Sequence, residues 1–155
     1  YLSSTGAFNA RDPVGLVAGL SQYAYVSDPT LWVDLLGLTG TYIFQFGSGE
    51  MYVGKGPIDR ARTSQRGRAG SIGTTTASIT QGAHADFSTS AATHGLTPNN
   101  MGLMVEAELM SRNNFGTAGT PLMNAINSPG RNLLATATPT QRAAVLAEAN
   151  ALESD

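Results

Sequence analysis

Two tyrosines ten positions apart, followed by a run of cations, carry the chemistry of this chain. They stand in Gly40-Thr41-Tyr42 and Tyr52-Val53-Gly54. After them come Lys55, Arg60, Arg62, Arg66 and Arg68, with Asp59 the one acid in that run. A phenol can orient a water or take its proton, and guanidinium groups present rigid N–H forks that match phosphate oxygens. An ordinary phenol titrates near pH ~10, so proton abstraction by Tyr42 or Tyr52 requires a neighbouring cation that lowers that value. These residue types fit a pocket for a phosphodiester. Each also has a plainer reading: half-buried strand aromatics for the tyrosines, and a solvated helix face for the arginines.

Positioning them takes a hairpin and a helix. Ile43-Phe44-Gln45-Phe46 and Met51-Tyr52-Val53 flank Gly47-Ser48-Gly49-Glu50, a glycine-rich break between two β-rich runs. Side chains alternate along a strand, so a hairpin can bring both phenols to one face. Pro57 then opens a helix over residues 58–66 that carries Arg60, Arg62 and Arg66 close to the phenols. Residues 67–83, with Gly70-Ser71-Ile72-Gly73-Thr74-Thr75-Thr76, read as a loop or irregular insertion, and His84 and His94 as loop histidines. Asn99 or Asn100 caps a helix running to about Arg112. It holds Glu106 and Glu108, which lie about 200° apart around a helix of 3.6 residues per turn, so only one can face a given pocket. Thr138-Pro139-Thr140-Gln141 announces a last, scaffolding helix with Ala144, Val145, Leu146, Ala149 and Leu152 on it.

Gly40-Thr41-Tyr42, Tyr52-Val53-Gly54-Lys55 and Arg62, eight residues after Gly54, resemble the first motifs of the GIY-YIG nuclease superfamily. Met104-Val105-Glu106-Ala107-Glu108-Leu109-Met110 followed by Pro121-Leu122-Met123-Asn124-Ala125-Ile126-Asn127 is similar to a variant of its helix-and-asparagine segment. The resemblance covers residues 39 to about 127 and matches nothing between 67 and 98. It implies an α+β domain with a short hairpin in a three-stranded antiparallel sheet flanked by helices. It implies metal-dependent hydrolysis of DNA, with RNA as the alternative substrate. Tyr42, Tyr52, Arg62 and Glu106 would be catalytic, with Mg²⁺ or Mn²⁺ on Glu106 and Glu108 as the substitute ligand. Lys55, Arg60, Arg66 and Asn124 would bind substrate. Arg66 stands where some relatives carry a histidine.

The opening residues resemble a second family. Asp12-Pro13-Val14-Gly15-Leu16, Tyr23-Ala24-Tyr25, Asp28-Pro29 and Asp34-Leu35-Leu36-Gly37-Leu38 follow the end of an Rhs-repeat core, with Leu35 where that family usually has proline. The resemblance implies that residues 1–38 close a β-rich shell and that 39–155 are the toxin it encloses. A self-cleavage served by Asp12 and Asp34 would release the toxin after Leu38. It also implies a cognate immunity protein, the shell of the same polypeptide, secretion-system delivery components, and action in the cytoplasm of a recipient cell. The chain begins within a motif at Tyr1 and reads as a piece of a longer polypeptide.

Composition limits the rest. The 155 residues are 41% hydrophobic, enough for a core, and 13% charged, with a net charge of −2. That balance argues against a strongly basic nucleic-acid binder, so any phosphate footprint must be local, between Lys55 and Arg68. With no cysteine, disulfides, thiol catalysis and cysteine-bound zinc are excluded. No apolar run is long enough to span a membrane, and the first residues lack a signal-peptide pattern. Two other readings stay open. The Glu106/Glu108 pair superficially resembles that of an ADP-ribosyltransferase toxin, and the chain could be a non-enzymatic shell plug or target-binding module.

Overall fold

The structure is a computed structural model and describes residues 40–154; the readings for Asp12, Asp34, Leu38 and the cut after Leu38 lie outside the described residues. The hairpin forms as its alternation requires: β1 (Gly40–Phe46) and β2 (Met51–Lys55) pair antiparallel, with Phe44 opposite Tyr52 and Tyr42 opposite Gly54. Gly49, at φ +103°, takes the left-handed turn position that suits glycine. On the far side of β1 lies β3 (Ile79–Asp86), giving a three-stranded antiparallel sheet in the order β2-β1-β3. The helices are α1 (Ile58–Ser71), α2 (Ser90–Thr93), α3 (Pro98–Arg112), α4 (Gly130–Thr136) and α5 (Pro139–Ser154). The chain is α+β, as expected.

Three local expectations need correcting. The segment expected as loop over 67–83 contains the last turn of α1 and the start of β3. β3 alternates only weakly, and its pairing with β1 supplies what its composition does not. His84 therefore sits on a strand, directly opposite Tyr42. The cap of α3 is Thr97, whose hydroxyl accepts from the Asn100 N–H at 3.1 Å, with Pro98 in the first turn. The expected capping box of α5 is present: Thr138 Oγ1 accepts from Gln141 N at 3.2 Å and Gln141 Oε1 from Thr138 N at 3.0 Å.

Strand alternation divides the sheet between two helical layers. Tyr42, Phe44 and Phe46 share one face with Tyr52 and pack with Ala61 and Ala69 of α1. Ile43 and Val53 point the other way, into a cluster with Met101, Met104, Val105 and Leu109 of α3 and Val145, Ala149 and Leu152 of α5. Phe44, Val53, Val105 and Leu109 are fully buried, each such side chain contributing about 1.5–3 kcal/mol. Thr41, buried on the α3 side, donates to the Gly102 carbonyl at 2.8 Å. A Cβ on Gly102 would fall 3.6 Å from both the Thr41 hydroxyl and the Gly40 carbonyl, so a small residue lets α3 lie this close to β1.

The open edge of β2 is covered. Met51 N donates to Pro121 O at 2.9 Å, and Met123 N donates to Met51 O at 2.8 Å. Asn124 continues the ladder with its side chain: Nδ2 donates to Val53 O at 2.7 Å and Oδ1 accepts from Val53 N at 3.1 Å. An exposed strand edge is a template for unwanted pairing, and this segment blunts it.

Candidate active site

The two phenols meet as the alternation predicts. Tyr42 and Tyr52 have ring centroids 6.2 Å apart at an interplanar angle of 37°. Tyr42 leans across the sheet over Gly54, where an added Cβ would fall 2.5 Å from its hydroxyl. The glycine that closes the second signature is thus the floor under the first tyrosine. The Tyr42 hydroxyl lies 2.8 Å from Ser64 Oγ on α1, a contact with no local pattern to announce it. Burial pushes the Tyr42 phenol above its ordinary value, and nearby Tyr52 adds to this against the pull of Ser64 and Arg60. At neutral pH it is a protonated phenol that gives and takes hydrogen bonds.

Helix α1 sorts the arginines by phase. Residues 60, 64 and 68 follow one another at helical spacing, whereas 60 and 62 stand about 200° apart. Arg60, though exposed, lies on the flank of the phenols: its charge favours ionisation of the Tyr42 phenol and of the Glu106 carboxyl. Arg62 stands on the opposite flank, exposed, in an ion pair with Asp59 at 3.1 Å. The structure therefore does not bring Arg62, the arginine at the family spacing, to the phenols. Arg66 is exposed on the outer side of the helix. Arg68 places its guanidinium 4.3 Å from the centroid of the Tyr52 ring. The stem of Arg60 runs over Gly56, whose φ of +142° and missing Cβ leave it room. That glycine is pinned twice: its N–H donates to Gly40 O at 2.8 Å, and its carbonyl lies 3.0 Å from His84 Nε2. His84, expected as a loop residue, thus fixes the turn that aims Arg60.

On the other side of the sheet α3 settles which acid faces the cluster. Glu106 is half-buried, beside Ser128 and within the fields of Lys55 and Arg60. Burial pushes its carboxyl above the ordinary value, and those three neighbours only partly pull it back. Ser128 is itself buried, donates to Leu103 O at 3.1 Å and accepts from Gly130 N at 3.2 Å. Gly130 is obligatory there, because any Cβ would collide with the Leu103 carbonyl. Glu108 turns away and holds Arg112 at 2.8 Å, and Arg112 also bridges to Glu153 of α5 at 2.8 Å. Asn124, expected to bind substrate, has its side-chain amide committed to the Val53 backbone.

Among the described residues no group of three histidines or acids is placed to hold a metal jointly. Glu106 offers a single oxygen-donor carboxylate. That suits a small hard cation such as Mg²⁺, which keeps several waters and takes further oxygens from a phosphate.

The chain is similar to a protein named "Probable deoxyribonuclease RhsA" from Dickeya dadantii (strain 3937), 36% identical over 62 residues, which are 39% of this chain. The match spans only 4% of that protein's length. No family model and no solved structure matches the chain. Among the described residues no helix is long and apolar enough to cross a membrane.

Proposed function

We propose that this chain is the toxin end of an Rhs-type polypeptide and that residues 39–155 are a GIY-YIG-type endonuclease acting on DNA in the cytoplasm of a recipient cell. One observation carries the catalytic reading: the Arg60 stem, seated over Gly56 just past the end of β2, carries a charge that favours ionisation of both the Tyr42 phenol and the Glu106 carboxyl. The similarity to a protein named as a deoxyribonuclease favours DNA over RNA. Release by self-cleavage after Leu38, a cognate immunity protein and a secretion-system route rest on the motifs of residues 1–38.

Arg60 takes the role that the family spacing would give Arg62, neutralising charge on the phosphoryl oxygens as the transition state forms. Tyr42, protonated and backed by Ser64, orients the attacking water by hydrogen bonding. Tyr52 walls the same pocket, and Lys55 meets the phosphate from the α3 side. Glu106 would hold Mg²⁺ or Mn²⁺, which when bound polarises the phosphate and stabilises the leaving oxygen. A transferase would need Glu106 and Glu108 at one site, and Glu108 is engaged by Arg112.

Conversion of supercoiled plasmid to nicked and linear forms tests this with the full chain. Activity is expected in Mg²⁺ and not in EDTA. Arg60→Ala and Glu106→Gln should each lower the rate about 10²–10³-fold, the cost of deleting one transition-state contact. Arg62→Ala should retain most of it. Loss with Arg62→Ala and not with Arg60→Ala would return the catalytic role to the family position, and full activity in EDTA would exclude the metal.

A further inference from the structure

Arg68 has no part in the cluster around Tyr42 and Glu106, yet it is held in a defined place. Its guanidinium lies over the Tyr52 ring at 4.3 Å from the centroid. Among the described residues no carboxylate lies within ion-pair distance of it, whereas Arg62 and Arg112 are both paired. A guanidinium held over a ring face can still turn N–H groups to oxygens beside the ring. The phenol thus holds the guanidinium in place, and among the described residues no hydrogen bond takes up its donors.

The spacing along α1 gives that fork a ligand. Arg60 and Arg68 are eight residues apart, about 12 Å along a helix rising 1.5 Å per residue. Ser64, midway, is tied to Tyr42 on the sheet beneath. Phosphates of one DNA strand rise about 3.4 Å each along the duplex axis, so two anchors at this distance suit phosphates a few steps apart on one strand.

We propose that Arg68, stacked on Tyr52, is a second phosphate-binding site: it takes a phosphate of the scissile DNA strand a few nucleotides from the one held at Arg60. The proposal rests on the nuclease reading and adds the direction in which the strand lies, along α1. It makes Tyr52 a support for binding as well as a wall of the pocket.

The test is binding without cleavage. The full chain carrying Glu106→Gln is titrated in EDTA against a fluorescent DNA oligonucleotide, and the dissociation constant is followed as salt rises. One phosphate contact contributes about 0.9 to the slope of log K against log salt on duplex DNA and about 0.7 on a single strand. Adding Arg68→Ala should lower the magnitude of the slope by that amount and weaken binding severalfold at low salt. Arg68→Lys should keep the slope. Tyr52→Leu should reproduce the Arg68→Ala loss, and the two together should add nothing. Arg131→Ala, an exposed cation on α4, should leave the slope unchanged. An unchanged slope in Arg68→Ala, or an equal fall in Arg131→Ala, overturns the second site while leaving the nuclease reading intact. Absence of DNA binding in every form, with no plasmid cleavage by the unmodified chain, overturns both. An equal slope change with RNA alone would move the site to the alternative substrate and overturn the DNA assignment.

Discussion

Glu106 is placed where its charge is disfavoured. Burial raises its pKa against Ser128, Lys55 and Arg60, so the folded state prefers the protonated acid more than the unfolded chain does. Its contribution to stability is fully present below the unfolded carboxylate value and is lost as pH rises through the higher folded value. Glu106→Gln, which is neutral throughout, should therefore gain over the parent on passing from acid to neutral pH. The expected gain at pH 7 is a few degrees in Tm, the scale on which about 1 kcal/mol registers in a small domain. Thermal melts of both forms between pH 4 and 8 check it, and identical pH dependence would mean that solvent reaches the carboxylate freely. Burial acts on Tyr42 in the same sense, favouring the neutral phenol. With its phenol pushed above the ordinary value, a phenolate base would make cleavage climb with pH past ~10. The hydrogen-bonding role instead predicts a plateau through the alkaline range, measurable as initial rates of plasmid nicking.

The hairpin, the helix after Pro57 and the capped α5 were legible because each is written in local pattern: alternation, a proline in the first turn, a capping box. What was not legible depended on phase and on partners. Residues 60 and 62 look alike in a list of cations, and only the orientation of α1 on the sheet separates Arg60, on the flank of Tyr42, from Arg62 on the opposite flank. That orientation is set by Ala61 and Ala69, both buried against the aromatic face. Likewise β3 and His84 lack a local signature and exist through pairing with β1. Gly54→Ala places a methyl into the Tyr42 ring and should cost about 1–3 kcal/mol, as overpacking does, with plasmid nicking lost alongside. Asn124→Ala leaves the Val53 N–H and carbonyl without their partners and should cost about 1–3 kcal/mol. Urea denaturation measures both. If Asn124 instead served substrate alone, the variant would bind DNA poorly while unfolding at the parent's urea midpoint.

Across the described residues charge is polarised between the two helical layers. Four of the eight described Lys and Arg residues stand on α1 beside the single acid Asp59, while Glu106, Glu108, Glu148 and Glu153 outnumber Arg112 and Arg142 on α3 and α5. A net charge of −2 is thus compatible with a local phosphate-attracting face, because field and net charge are different quantities. The acidic layer has a second task, since α5 closes the core from the end of the chain. Its Val145, Ala149 and Leu152 are buried against α3, and Arg112 ties the two helices through Glu108 and Glu153. These two kinds of contact differ in weight. Burying Val145 and Leu152 contributes about 1.5–3 kcal/mol each, a large share of the ~5–15 kcal/mol that a domain holds in total. The partly exposed Arg112–Glu153 pair is worth about 0–1 kcal/mol. A chain ending at Ala137 should therefore lose cooperative unfolding and with it plasmid nicking. One ending at Leu152, which keeps the apolar face and loses Glu153, should melt within a few degrees of the full chain and keep cutting. Circular dichroism melts of the two truncations separate the contributions. Equal damage from both would mean that the ion bridge, and not the buried stripe, holds α5 in place.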